Sequence, residues 1–321
     1  MIGPCDTVEP EMAGMPVFLT GATGFLGSHL AVELARRGAV VHALRRDPSR
    51  TTRIPCPAVT WHLGDLTDLD SLQNAVAQSR PAVVFHLGAY GAVYGEKDDP
   101  AIFQVNVEGT WNLWRALEGQ RCRLVYAGSC GEYGECRGPI REDQICRPQW
   151  FYPATKNAAA VLLSALGRRG DREVVILRPF GPYGPADNAG RIIPLTILSL
   201  LRGEEVRVTE GAQLRDYAFV DDHVAAFIHA ALRPLPCPVR TYNIGSGQVI
   251  TLRTLIETIV RAVDEKVMER VRFGAIPYRP DETWEMYCDS SAATDELGWS
   301  PRVPLIDGIN RTVEWYRRKV A

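Results

Sequence analysis

The chain has 321 residues, of which 46% are hydrophobic and 23% are charged, and its formal net charge is −2. This composition is ordinary for a globular enzyme of one large or two modest domains, and it offers no basic block that would bind nucleic acid. No apolar stretch reaches the roughly 18 residues that cross a bilayer, so no membrane partner is expected. Residues 1–16 contain three acids, no Lys or Arg and no apolar core, which predicts a flexible tail instead of a secretory signal.

The cysteine pattern predicts neither disulfides nor a metal site. No two cysteines are spaced as Cys-x-x-Cys, and no His-rich zinc spacing occurs. A chain of this length needs no disulfide staples, so reduced thiols and a cytoplasmic location are expected. Cys130, Cys136 and Cys146 are near enough in sequence to raise the alternative of a zinc site, which their spacing disfavours. The eight cysteines are at positions 5, 56, 122, 130, 136, 146, 237 and 288.

Apolar runs typical of strands alternate with helical stretches over the first half of the chain. Such alternation predicts a parallel sheet with helices on both faces. Pro, Gly and Asp become frequent at 179–188, which indicates the passage from a first domain at 17–178 to a second, substrate-facing region at 179–321. The predicted strands lie at 17–20, 40–44, 59–63, 82–87, 123–127 and 174–178.

A glycine-rich turn follows the first predicted strand and precedes a helical stretch at 28–38. A tight turn needs residues without a Cβ atom, and a pyrophosphate needs close approach of the backbone. The N-terminus of the following helix offers unpaired N–H groups and a partial positive charge to that pyrophosphate. The sequence therefore predicts a dinucleotide site, and its candidate residues are Gly21, Thr23, Gly24, Phe25, Leu26 and Gly27.

Tyr152 and Lys156 form a candidate proton-transfer pair. Residues four apart on a helix share one face, so their side chains are expected to be neighbours. A free tyrosine has a pKa of about 10, and a cation beside the phenol lowers it. The pair could therefore move a proton on and off a sugar or alcohol oxygen.

Several further motifs, in order along the chain, resemble those of the extended short-chain dehydrogenase/reductases that act on nucleotide sugars. The segment 64–68 resembles the turn beside the adenine, and 84–89 resembles the fourth strand with its nicotinamide-side turn. The segment 126–134 resembles the one that carries a catalytic serine, which would be Ser129. The resemblance adds Asp65, Leu66, Leu87, Ala89 and the structural Asn106 to the candidate cofactor-binding residues, with Lys156 also at the nicotinamide ribose.

This resemblance implies a fold, a substrate class and an assembly. The fold would be a Rossmann-type doubly wound α/β sheet with a smaller C-terminal substrate-binding region, rejoined by a strand near 240–245. The substrate would be a nucleoside-diphosphate sugar, and the protein would form a homodimer. Segments 213–222 and 278–282 make Arg215 and Arg279 the candidates for the substrate diphosphate, and Cys130 would lie at the substrate. Arginine suits phosphate because its planar guanidinium donates paired hydrogen bonds.

The cofactor can be argued from the end of the second predicted strand. An acid there binds the ribose hydroxyls of NAD, whereas an arginine there accommodates the additional phosphate of NADP. Arg45 and Arg46 come directly after the apolar run, and Asp47 precedes a proline and is suited to opening a turn. NADP is therefore favoured, and NAD stays open.

Within the resembled family, the residues after Ser129 bear on the reaction. Dehydratases place acids directly after the catalytic hydroxyl residue, whereas Cys130 and Gly131 stand here, which disfavours dehydration. A 4-ketoreductase acting on a GDP-, CDP- or dTDP-linked 4-keto-6-deoxyhexose is favoured, and an NAD-dependent 4-epimerase is the alternative. Gly181 stands where many UDP-sugar epimerases carry an asparagine. A regulator that binds NAD(P) without catalysis is a remote third hypothesis.

Overall fold

A computed structural model describes residues 11–92, 98–170 and 172–320 of the chain. Twelve strands and ten α-helices are found in these ranges. The strands are β1 (Pro16–Thr20), β2 (Val40–Arg45), β3 (Val59–Leu63), β4 (Val83–His86), β5 (Arg123–Ala127), β6 (Val174–Pro179), β7 (Val206–Arg207), β8 (Leu214–Asp216), β9 (Val239–Ile244), β10 (Val249–Thr251), β11 (Val271–Arg272) and β12 (Glu285–Met286). The helices are α1 (Phe25–Arg36), α2 (Leu69–Ser79), α3 (Asp99–Phe103), α4 (Gly109–Ala116), α5 (Phe151–Gly167), α6 (Ile192–Leu201), α7 (Val220–Leu232), α8 (Leu252–Val263), α9 (Ser291–Leu297) and α10 (Leu305–Val320).

Seven parallel strands form the main sheet, in the order β3-β2-β1-β4-β5-β6-β9. The order reverses direction at β1, so the chain winds outward from the centre of the sheet in two halves. β9 comes from the second half of the sequence and pairs with β6, with Ile176 opposite Thr241. The predicted doubly wound α/β fold is confirmed. The division near residue 178 stays a prediction.

The strands are apolar on both faces because helices cover both. Val17 and Leu19 of β1 lie in one core, and the intervening Phe18 lies in the other. The same alternation recurs in β5 and β6, as the two-residue period of a strand requires. One core packs against α1 and α7, and the other packs against α2, α4 and α5.

Residues 11–15 are packed against the first core, so the predicted flexible tail does not extend to residue 16. The Met12 side chain is fully buried, and the Gly14 N–H donates to the Gly38 carbonyl at 2.9 Å. Residues 1–10 of that predicted tail lie outside the described ranges. A buried methionine costs free energy to expose, which is the physical reason for the order seen from residue 11 onward.

Two small sheets lie in the C-terminal part of the chain. One has the order β10-β8-β12 and the other pairs β11 with β7. Asp222 on α7 anchors the final segment, because its buried carboxylate accepts backbone N–H groups from Arg302 and Val303. Within the described ranges, none of the helices combines the length and apolar character that a membrane crossing needs.

Candidate functional site

A cleft opens at the carboxyl ends of the central strands, where the strand order reverses. This is the place where open parallel α/β sheets bind ligands. Nine of the candidate cofactor-binding residues lie on its wall. They are Gly21, Thr23, Gly24, Arg45, Arg46, Asp65, Leu66, Leu87 and Ala89.

The glycine loop gives the cleft its floor. Gly21 has φ +79°, and a Cβ atom there would lie 2.6 Å from the Leu87 carbonyl carbon. A Cβ atom on Gly27 would overlap the Gly21 carbonyl, so this glycine lets α1 pack against the turn. Phe25 and Leu26 direct their side chains to the core, which leaves their backbone N–H groups for a ligand. Because these positions are glycines, the turn leaves open a space that larger side chains would fill. This space fits the pyrophosphate of a dinucleotide.

Buried polar side chains hold the opposite rim of the cleft. His86 contacts the Thr20 hydroxyl at 2.7 Å and the Thr110 hydroxyl at 2.9 Å, and burial lowers its pKa to about 3. Asn106 receives the Tyr90 N–H at 2.9 Å and donates to the Tyr90 carbonyl at the same distance. Asn106 does not line the cleft, so its geometry matches the predicted structural role of fixing the loop beyond β4.

Four arginines lie around the end of β2, and two of them were not predicted from the sequence. Arg50 and Arg53 line the cleft together with the predicted Arg45 and Arg46. The Arg53 guanidinium donates to the Ala186 carbonyl at 3.0 Å and thereby ties the β2–β3 loop to the segment beyond β6. Asp47 is not on the cleft wall; its carboxylate accepts the Ser49 N–H in a local turn. Only a search for basic residues beyond the strand end could have found Arg53.

Helix α5 carries the candidate proton-transfer pair, with Tyr152 half-buried and Lys156 in the interior. Lys156 is buried, and its Nζ lies 4.1 Å from the centre of the Tyr126 ring. The helix packs against a short 3₁₀ turn, Cys130–Tyr133, which follows β5 and begins directly after Ser129. The Ser129 hydroxyl accepts the Gly131 N–H at 3.2 Å, so the three candidate catalytic residues come from two elements in contact.

Electrostatics at Tyr152 differ from the prediction that a lysine lowers its pKa. Burial and the Glu132 carboxylate both raise the pKa of Tyr152, and only Arg191 opposes them. Burial lowers the pKa of Lys156, while Glu132 raises it. The phenol is therefore held protonated, because a buried carboxylate disfavours a second negative charge nearby.

Glu132 is the main residue that sequence reasoning passed over. Its side chain is fully buried, accepts the Ser129 N–H at 2.7 Å, and pairs with the Arg178 guanidinium at 2.9 Å. Arg178 also donates to the Tyr133 hydroxyl, which in turn donates to the Asn243 side chain, each at 2.7 Å. The signal was the acid itself, inside a segment of otherwise small or apolar residues.

The substrate side brings Arg215 and the segment around Arg279 together. Arg215 on β8 pairs with Glu282 at 3.1 Å and donates to the Thr283 carbonyl at 2.7 Å. The Glu282 N–H donates to the Arg279 carbonyl, so both predicted arginines belong to one corner. Burial raises the pKa of Cys130 to about 11, while Arg191 and Arg215 oppose this rise.

Arg191 was not predicted from the sequence. It stands at the start of α6, donates to the Pro182 carbonyl at 2.9 Å, and acts electrostatically on both Tyr152 and Cys130. Among the described residues, no group of three or more His, Cys, Asp or Glu side chains is placed to hold a metal ion.

Comparison with known proteins gives a consistent family. A model of the NAD dependent epimerase/dehydratase family matches residues 17–245. A UDP-glucose 4-epimerase of Mycolicibacterium smegmatis is 33% identical, over 95% of this chain and 99% of the relative. A dTDP-glucose 4,6-dehydratase of the same species is 30% identical, over 94% of this chain and 93% of the relative.

Two solved structures share the whole architecture. The UDP-glucose 4-epimerase of Thermotoga maritima, crystallised with UDP-glucose, superposes with a TM-score of 0.88 at 25% identity, over 96% of this chain and all of the other. MoeE5 in complex with UDP-glucuronic acid and NAD gives 0.82 at 31% identity, over 94% and 99% of the two chains. These likenesses confirm the predicted extended short-chain dehydrogenase/reductase type, and the chain belongs to the NAD dependent epimerase/dehydratase family.

Proposed function

We propose that this enzyme acts at C4 of a nucleoside-diphosphate sugar and reduces a 4-keto-6-deoxyhexose with NADPH. The four arginines that line the cleft at the end of β2 carry this proposal. Such a basic cluster suits the additional phosphate of NADP, and NADPH is the reductant that a ketoreductase consumes. Arg46 lies 3.7 Å from the Asp65 carboxylate, which would compete with a phosphate for its charge, whereas Arg45 donates to a neutral group, the Arg50 carbonyl, at 3.2 Å.

The protonated state of Tyr152 supports the reductive direction. A carbonyl that accepts a hydride becomes an alkoxide and needs a proton, and the half-buried, neutral phenol of Tyr152 could give it. Ser129 would donate a hydrogen bond to the same oxygen, and Lys156 would hold the ribose of the cofactor. A bound nicotinamide supplies the hydride, and the protein contributes the binding, orientation and proton.

Arg215 and Arg279 would anchor the diphosphate of the substrate. The nucleotide half of the molecule would then lie over the small sheets, with the sugar directed toward Cys130 and Tyr152. Arg215 is about one-fifth exposed, so its guanidinium is within reach of a ligand, although it also contacts the Glu282 carboxylate at 3.1 Å. Charge-assisted hydrogen bonds of this kind are among the strongest available to a binding site.

A 4-epimerase using bound NAD is the second candidate, favoured by the full-length similarity to the Mycolicibacterium smegmatis relative. The structures of MoeE5 and of the Thermus thermophilus UDP-glucose 4-epimerase were determined with NAD. Gly181 favours the first candidate, because its φ is +42° and a Cβ atom at that position would overlap the Asp216 carbonyl oxygen, so no side chain could reach a substrate from there.

The two candidates differ in whether cofactor is consumed. The test follows NADPH absorbance and sugar products together while nucleoside-diphosphate 4-keto-6-deoxyhexoses and 4-hydroxy sugars are supplied in turn. Stoichiometric oxidation of NADPH by a keto sugar supports the reductase. Interconversion of 4-hydroxy sugars with unchanged NADPH supports the epimerase and overturns the reductase.

We also propose a cytoplasmic homodimer. Phe103, Trp111 and Val161 expose large apolar side chains on α3, α4 and α5, which pack against one another. Exposed apolar patches of this kind mark association surfaces. Sedimentation analysis of the wild type and of Val161→Glu tests the assembly, and a wild-type monomer would overturn it.

A further inference from the structure

The segment after β5 contains a buried carboxylate in direct contact with the backbone of Ser129. Both oxygens of Glu132 are occupied: Oε1 accepts the Ser129 N–H at 2.7 Å, and Oε2 accepts the Arg178 Nε–H at 2.9 Å. The side chain has no exposed surface. An ion buried this deeply is costly unless its partners are fixed, so its position is closely defined.

Gly128 provides the room for this carboxylate. A Cβ atom at position 128 would lie 2.5 Å from Glu132 Oε1 and 3.1 Å from the Leu177 carbonyl. Real side chains do not approach so closely, so any larger residue would displace the glutamate. The pair Gly128 and Glu132 therefore acts as a unit that sets the path of the backbone into Ser129.

The charge of Glu132 also reaches the proton-transfer pair. The 3₁₀ turn that carries it packs against α5, which bears both members of that pair. Arg178 pairs with the carboxylate at 2.9 Å, and Lys156 on α5 interacts with it electrostatically. The titratable and charged groups that face Glu132 are Arg178 on β6, Tyr152 and Lys156 on α5, Tyr126 on β5 and Cys146 in the loop before α5.

We propose that Glu132 is a positioning residue of the active site, which orients Ser129 through its backbone and places a negative charge beside the proton-transfer pair on α5. The inference rests on the proposed role of Tyr152 in proton transfer, and it holds for either reaction at C4. Removing the negative charge should make the phenol easier to ionise and the ammonium easier to neutralise. A residue that serves only packing would change neither equilibrium.

The decisive variant is Glu132→Gln, which keeps a hydrogen-bond acceptor for Ser129 and removes the charge. The chain has only four lysines, at 97, 156, 266 and 319, so lysine labelled with carbon-13 gives four NMR signals that can be titrated. We expect the Lys156 midpoint, assigned with Lys156→Arg, to fall by about one pH unit. The basic limb of the turnover profile should move the same way by a similar amount.

Asp222→Asn is the matched control, because Asp222 is another buried carboxylate that accepts backbone N–H groups, yet its partners are Arg302 and Val303 in the final segment of the chain. It should leave the lysine midpoint unchanged. Gly128→Ala gives a second route to the same effect by displacing the carboxylate, and it carries the test if Glu132→Gln does not fold. An unchanged Lys156 midpoint in the folded variants overturns the proposal. A shifted midpoint in an enzyme inactive on every sugar tried overturns the proposed reaction and leaves the role of Glu132 standing.

Discussion

The proposed cofactor side and the proposed substrate side of this molecule are built in different ways. The cofactor cleft is assembled from turns that directly follow consecutive parallel strands, so each of its motifs is a short continuous segment. The substrate corner is assembled from distant pieces: β8 lies between β10 and β12, and Arg215 meets Glu282 across 67 residues of sequence. Local motifs can be read from a sequence, whereas a corner made of distant strands depends on how those strands pair.

Residue 132 shows how the two sides meet. Its carboxylate holds Arg178 at the end of β6, and Arg178 leads through Tyr133 to Asn243 on β9. β9 is the strand that returns from the substrate side to the main sheet. Substitutions on the two sides of this buried chain of hydrogen bonds should therefore have different effects. Some should change turnover, and others should change cofactor affinity, folding stability or substrate affinity.

The largest effect is expected from Tyr152→Phe. Removing the phenol oxygen deletes the proposed proton donor and leaves the ring packed on α5, so turnover should fall by at least about 10²-fold. Cofactor affinity should stay near that of the wild type, because Tyr152 does not line the cofactor cleft. Steady-state turnover and NADPH titration provide the two measurements, and near-normal turnover would show that another group supplies the proton.

Much of the cofactor side was predictable, and the reasons are local. Gly21 and Gly24 follow an apolar strand and precede a helix, a combination that itself dictates a turn with close backbone approach. Arg45 and Arg46 follow the next strand and could be placed at the same edge for that reason. Arg53 could not, because its place in the cleft depends on its bond to the Ala186 carbonyl across 133 residues.

The electrostatic state of the site was not predictable from residue spacing. The spacing of Tyr152 and Lys156 indicates that they share a face, and it suggested a lowered phenol pKa. Desolvation of Tyr152 and the nearby Glu132 carboxylate instead raise the pKa of the phenol. Desolvation of Lys156 lowers the pKa of the ammonium group. A sequence records which groups are near along a helix, but desolvation depends on everything packed around them.

Replacing both Arg45 and Arg46 with alanine should weaken NADP binding much more than NAD binding. A hydrogen bond between charged groups contributes roughly 1.5–3 kcal/mol, so NADP affinity should fall by at least tenfold. NAD lacks the phosphate and should lose little. Calorimetric titration of both cofactors decides the matter, with Arg272→Ala on the substrate side as a control. An equal loss for the two cofactors would mean that these arginines do not distinguish them.

Acid should destabilise both sides of the molecule through buried neutral histidines. His86 on the cofactor side and His223 on the substrate side each have their pKa lowered to about 3 by burial. The unfolded chain binds protons below about pH 6.5 while the folded protein does not, so stability is lost as pH falls. By pH 5, each histidine should lower the free energy of unfolding by about 2 kcal/mol.

The variant His223→Leu separates these contributions. It loses the contact with the Phe180 carbonyl at 3.2 Å, so it should be less stable at pH 7. Between pH 7 and pH 5, the free energy of unfolding of the variant should nevertheless fall less than that of the wild type, since one titrating group is gone. Urea unfolding at the two pH values measures both quantities, and an unchanged decline would assign the acid sensitivity to other groups.

The smallest effect, and the sharpest test of the substrate corner, concerns Arg215 and its partner Glu282. If Arg215 binds the diphosphate, Arg215→Ala should weaken the binding of a nucleoside diphosphate by about tenfold, the scale of one charge-assisted hydrogen bond. Glu282→Gln should act in the opposite direction, because the carboxylate 3.1 Å from the guanidinium competes with the ligand for its charge. Calorimetry with UDP, GDP, CDP and dTDP needs no knowledge of the sugar. Weaker binding in both variants would mean that Glu282 orients Arg215 more than it competes, and no change in Arg215→Ala would remove Arg215 from the site.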